Sequence, residues 1–181
     1  MIEVLDNLVS EHTREQLYML CATTSYKIGW DDTTTFENRQ YPCLHHTLSF
    51  SEWTELNFID NILQREKWDI LTKNLTFQEA TINLATHASV QFPHTHGAQK
   101  VLTYYLNPEW RPEFYGETIF YDEANTESTA VVMYKPNRGV FFNGEQPHSI
   151  RPSSHLAPTY RFTLSVFFRE RNFIEETKNS T

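Results

Sequence analysis

The sequence predicts a mainly β, single-domain protein whose N-terminal end is helical. Three observations carry that expectation. After about Leu71, short β-branched and aromatic runs alternate with turn residues: LTFQEATINLATHASVQF, QKVLTYYLN, GETIFYD, TAVVMYKP, GVFFNG, HSIRP and YRFTLSVFFRE. Runs at this spacing suit an antiparallel sandwich or barrel. Helix-start signals stand ahead of them, in the first seventy residues. The last run alternates Phe162, Leu164, Val166 and Phe168 with Arg161, Thr163, Ser165 and Phe167. An apolar face backed by a polar, basic one implies that both are covered, one by helices and the other by a cavity holding an anion.

The elements follow in order. Ser10 N-caps a helix running through Leu17, Leu20 and Cys21. The stretch TSYKIGWDDTTTFENRQYP reads as loop with one short strand. Ser49 and Glu52 form a capping box, and Leu48 with Trp53 a hydrophobic staple. From there Leu56, Ile59, Ile62 and Leu63 repeat at helical spacing and lay one apolar stripe on the fold. The expected organisation is therefore a helical support region over 1–70, a β core over 71–172 and a tail over 173–181. A chain of 181 residues fits one domain of this kind.

Composition narrows the function classes. With 39% hydrophobic and 21% charged residues and no low-complexity tract, the chain is not largely disordered. It contains no apolar run of membrane-spanning length, and its first residues carry acids where a signal peptide carries bases, so a cytoplasmic location is expected. Cys21 and Cys43 make neither a disulfide framework nor a CxxC metal site and read as reduced, buried thiols. A net charge of −8 argues against non-specific binding to nucleic acid or anionic lipid. Lys135 to Asn172 nevertheless carries a local +4, so a small anion can be met there.

The histidines hold the chemistry. His12 and His155 are expected at the surface, His45 and His46 on opposite faces of a strand, and His87 in packing or at the surface. His94 and His96 differ: at i and i+2 both imidazoles project from one face of a strand, a suitable bite for one metal. HxH alone is a weak signal. A third imidazole, His148, follows 52 residues after His96, and Arg161 comes 13 residues later on the two-faced strand. Together they form a pattern.

From about Gln78 to Arg169 that pattern resembles the iron(II)/2-oxoglutarate-dependent dioxygenases, in their prolyl-hydroxylase-like branch. The matching segments are His94-Thr95-His96, Tyr104-Tyr105-Leu106-Asn107 with Trp110, Gly116-Glu117-Thr118, Pro147-His148, and Arg161. The resemblance implies a double-stranded β-helix, a jelly roll of cupin-like form, with iron(II) as metal and 2-oxoglutarate as cosubstrate. It implies His94 and His148 as iron ligands, Arg161 as partner of the distal carboxylate of 2-oxoglutarate, and Tyr105 as a donor to that carboxylate. A guanidinium meets a carboxylate with two parallel hydrogen bonds. Ser165 would hold a water or the cosubstrate. Asn83, on the strand entering the motif, could reach the proximal carboxylate.

One departure stands out: the family carries Asp or Glu where this chain has His96. Either His96 replaces the acid as ligand, or Glu117 supplies a carboxylate, or the centre binds metal without oxygenase turnover. The expected activity is C–H hydroxylation coupled to decarboxylation of 2-oxoglutarate to succinate, with O2 as second cosubstrate. Rivals are a cupin-like metal- and carboxylate-binding module and a zinc hydrolase, the latter leaving Arg161 and Tyr105 without a role. Peptidyl proline, a free amino acid, another small molecule or a nucleobase remain open as primary substrate.

Overall fold

The computed structural model describes residues 1–29, 44–87 and 89–171. Its strands are β1 (Ile2–Asp6), β2 (Lys27–Ile28), β3 (Leu44–Thr47), β4 (Leu75–Ala85), β5 (Lys100–Tyr105), β6 (Thr118–Tyr121), β7 (Ser128–Val132), β8 (Arg138–Asn143), β9 (His148–Ile150) and β10 (Arg161–Glu170). The helices are α1 (Glu11–Thr23), α2 (Phe50–Leu56) and α3 (Arg65–Thr72). All strand pairs are antiparallel. A seven-stranded sheet in the order β1-β8-β5-β10-β4-β3-β2 packs against a three-stranded sheet, β7-β6-β9, and His94 extends the latter by bridging to His148. This is the jelly roll.

Strand β10 decides where the core and the site lie. Phe162, Leu164, Val166 and Phe168 join Leu17, Cys21 and Trp68 in the larger core cluster, under the helices. Phe167, on the opposite face, packs with Val101, Tyr105, Phe120, Val132 and Phe142 between the two sheets. Both faces of β10 are thus covered, and Arg161 is buried on the inner one.

The helix starts form as their caps dictate. Ser10 Oγ accepts from Thr13 N at 3.2 Å. Ser49 and Glu52 close the capping box, with Ser49 N donating to Glu52 Oε2 at 2.7 Å. The rest of the N-terminal expectation needs correction. The helix expected through Leu63 stops at Leu56, because Asn57 turns into the left-handed region at φ 46°. Ile62 is still buried, while Leu63 is exposed. A separate helix, α3, then buries Trp68. The first seventy residues also hold β1, β2 and β3. Strand β1 pairs with β8, and Asp6 clamps the pair by accepting from Arg138 Nε at 2.6 Å and Lys135 Nζ at 3.0 Å. Those two cations hold the Asp6 carboxyl down at about 2.

Burial pushes the free thiol of Cys21 up to about 12, as an inert core cysteine requires. Cys43, most of the expected 24–42 loop and the 173–181 tail lie outside the described residues. No described helix is long and apolar enough to cross a membrane.

Candidate metal centre

The two sheets bring the three selected imidazoles together. The ligand atoms of His94, His96 and His148 all lie within 4.8 Å of one another, and their ring centroids are 4.4 to 5.1 Å apart. His94 and His148 are locked by a reciprocal backbone pair, N to O at 3.0 Å in both directions. Each also places Nδ1 against a carbonyl, that of Phe92 at 3.0 Å and of Gln146 at 2.9 Å. Nδ1–H then donates to the carbonyl, so the ring lone pair lies on Nε2. His96 is fixed differently: its N donates to Gly144 O at 2.7 Å, and its ring meets the Phe167 ring at 5.0 Å.

Burial favours the neutral, metal-binding form of His96 and His148. Burial, then the neighbouring His148 and His94, pushes His96 down to about 3. Burial and His94 push His148 down to about 4. Gly144 makes this approach possible: a Cβ there would stand 2.6 Å from Gln99 O and 3.1 Å from His96 Cβ. Glu117, the alternative third ligand, is not part of the cluster; it pairs with Arg151 at 3.6 Å.

Deeper between the sheets lies Arg161, buried and without a carboxylate ion-pair partner among the described residues. Its Nε and Nη2 donate to Gly116 O at 3.1 and 2.9 Å. The guanidinium lies 4.8 Å from the Tyr134 ring and 5.6 Å from the Tyr105 ring. Tyr105 stacks on Tyr134 at 4.4 Å, and its hydroxyl meets Thr118 Oγ1 at 2.7 Å. Burial raises the Tyr105 hydroxyl well above the usual phenol range, although the Arg161 charge opposes this, so Tyr105 is a donor rather than an anion. A buried cation bonded to one carbonyl and faced by aromatic rings, with the Glu117 charge acting on it only beyond ion-pair distance, is costly unless an anion joins it.

Asn83 and Ser165 sit on the same inner face, half-buried, with Asn83 Nδ2 donating to Ser165 Oγ at 3.1 Å. His87 instead ties two loops through Pro158 O at 3.2 Å. Gly144 and Tyr134 escaped the sequence argument. The Asn143-Gly144 dipeptide marks a turn but not a close approach to His96, and Tyr134 lies just past the end of β7, where nothing in the sequence marks it.

No family model matches the sequence, and no curated protein matches it. Solved structures do. A prolyl hydroxylase from Trichoplax adhaerens, in complex with a hypoxia inducible factor peptide fragment, is 14% identical with a TM-score of 0.69, over 99% of this chain and 87% of that one. A Pseudomonas putida prolyl-4-hydroxylase is 16% identical with a TM-score of 0.70, over 93% and 92%. HygX from Streptomyces hygroscopicus, with nickel and 2-oxoglutarate bound, is 11% identical with a TM-score of 0.66, over 93% and 82%. The chain has the fold of these prolyl hydroxylases and 2-oxoglutarate oxygenases.

Proposed function

We propose that this chain is an iron(II)/2-oxoglutarate-dependent oxygenase, hydroxylating a C–H bond of a substrate while 2-oxoglutarate is converted to succinate. The observation that carries the proposal is the pairing of a three-imidazole cluster with a buried arginine, between the same two sheets, that has no carboxylate ion-pair partner among the described residues. The donor set fits a divalent first-row metal: three imidazoles, of which His96 and His148 are held neutral by burial and His94 and His148 place Nδ1 against a carbonyl. His94, His96 and His148 would hold the metal, with His96 in place of the usual carboxylate. Iron(II) bound there would supply the activation of O2 and the oxidative decarboxylation.

The protein's own residues position and desolvate. Arg161 would take the distal carboxylate of 2-oxoglutarate in a charge-assisted pair, with Tyr105 donating to the same group. Asn83 and Ser165 would serve the proximal end or a water beside it. Tyr134, Trp110 and Phe120 line the surrounding wall with aromatic carbon, which keeps the buried charges in a medium of low dielectric.

The test is succinate formation from 2-oxoglutarate with iron(II) and O2 varied, in the wild-type chain and His148→Ala. Iron- and O2-dependent succinate, lost in the variant, is the expected result. Retained metal and 2-oxoglutarate binding without succinate, even across a broad substrate panel, would leave a metal- and carboxylate-binding module instead.

A further inference from the structure

The inner face of the large sheet continues past β10 onto β4 and β3, and the register shows which side chains it presents. Phe167, Ser165 and Thr163 lie opposite Glu79, Thr81 and Asn83 of β4. Thr81 and Asn83 lie opposite Thr47 and His45 of β3. Ala80, Ile82 and Leu84 are buried in the core under the helices. Strand alternation therefore puts Glu79, Thr81 and Asn83 on the face that Arg161 and Phe167 share. In these rows β3 and β4 contribute a carboxylate, two hydroxyls, an amide and an imidazole, and no aliphatic or aromatic hydrocarbon.

This wall is open and adjoins the metal centre. Glu79 and Thr47 are exposed, Thr81, Asn83 and Ser165 are half-buried, and His45, at the far end, is buried, so the wall is open on the Glu79 side. Glu79 is the cross-strand partner of Phe167, so their Cα atoms are about 5 Å apart. The Phe167 ring in turn touches His96. Glu79 forms no ion pair with any described residue. An exposed glutamate on a strand is ordinarily solvated surface charge, but here it stands opposite Phe167, beside the imidazole cluster, at one end of a β3–β4 wall that is otherwise polar and uncharged. A prolyl ring against such a wall would desolvate a carboxylate and several hydroxyls without replacing their hydrogen bonds. A protonated amine flanked by hydroxyls would satisfy them.

We propose that the β3–β4 wall receives the primary substrate, and that Glu79 selects a molecule carrying a protonated amine among hydroxyls, of the amino-sugar kind, over an apolar prolyl ring. This rests on the oxygenase proposal for what lies beside the wall. The test loads the full chain with Mn2+ and 2-oxoglutarate and measures paramagnetic relaxation of probe protons by NMR. Glucosamine, its uncharged counterpart N-acetylglucosamine and a neutral prolyl peptide are compared.

Glucosamine should be relaxed most. Glu79→Gln should cut its apparent affinity about fivefold, toward that of the acetylated sugar, and Glu79→Lys should abolish the effect. Equal relaxation of the two sugars, stronger relaxation of the prolyl peptide, or no change in Glu79→Gln would overturn the proposal. His148→Ala is the control that separates the two ideas. If Mn2+ binding is the same in that variant as in wild type, the metal-centre proposal fails. Glu79-dependent glucosamine binding, then read from chemical shifts alone, would still uphold this one.

Discussion

Arg161→Met separates the role of the arginine in binding from any role in folding, because the two effects run in opposite directions. The wild-type guanidinium is buried, donates twice to Gly116 O and has no acid partner among the described residues. Its desolvation lowers its pKa from the usual arginine value, the sign of a charge held at a cost. Methionine removes that cost and fills similar volume, a change that is often neutral or stabilising by about 1–4 kcal/mol. Against this, Gly116 O loses its donors, a penalty of roughly 1–3 kcal/mol. Net stability should therefore move by no more than about 3 kcal/mol in either direction. Binding of 2-oxoglutarate should collapse. An unpaired buried carboxylate costs about 3–5 kcal/mol, which is more than a hundredfold in Kd. The assay is anaerobic titration of 2-oxoglutarate into the metal-loaded protein, with thermal unfolding of the same samples. An unchanged Kd would refute the assignment of Arg161, and loss of both binding and fold would show that its role is structural.

Other outcomes follow from the same geometry. Gly144→Ala should weaken metal binding by at least about tenfold, because its Cβ would stand 2.6 Å from Gln99 O and 3.1 Å from His96 Cβ; metal titration checks it, and unchanged affinity would mean that His96 does not need its present place. Gly116→Ala should impair 2-oxoglutarate binding but not metal binding, since φ there is +80° and the new Cβ would meet Arg161 Nε at 3.0 Å. Acid should destabilise the metal-free protein earlier than the metal-loaded one. His96 and His148 stay neutral in the fold down to about 3 and about 4, whereas unfolded imidazoles take up a proton near pH 6.5. The folded pKa is the depressed one, so stability is full above about 6.5 and falls as pH drops toward 4. By pH 5 the loss is about 2 kcal/mol for each ring. Urea unfolding at pH 7 and pH 5 measures it, and a flat profile would contradict the burial of these rings.

Much of the fold and of the candidate site was legible because its signals are local. Capping at Ser10 and Ser49 depends on residues within one helical turn, and the two faces of Arg161–Glu170 follow from strict alternation. The imidazoles and the arginine stood out by type and order along the chain. Other features have no local signal. The short run Ile2–Asp6 becomes a strand because β8 lies beside it and Arg138 and Lys135 meet Asp6. Leu56 to Leu63 carries a helical apolar repeat, yet Asn57 breaks it, since Ile59 and Ile62 reach the core from a turn as well as from a helix.

Sequence by itself determined the chemistry available: three imidazoles, one inward arginine and no carboxylate at position 96. Tertiary structure decided how that chemistry is held. It put the ligand atoms within 4.8 Å of one another, removed Glu117 from the cluster by pairing it with Arg151, and set Glu79 opposite Phe167, whose ring meets His96, through the β4–β10 register. It also set the protonation of His96 and His148, which a free imidazole would leave near 6.5. Residue type and spacing act over a few bonds, whereas desolvation and strand register arise only when two sheets close on each other.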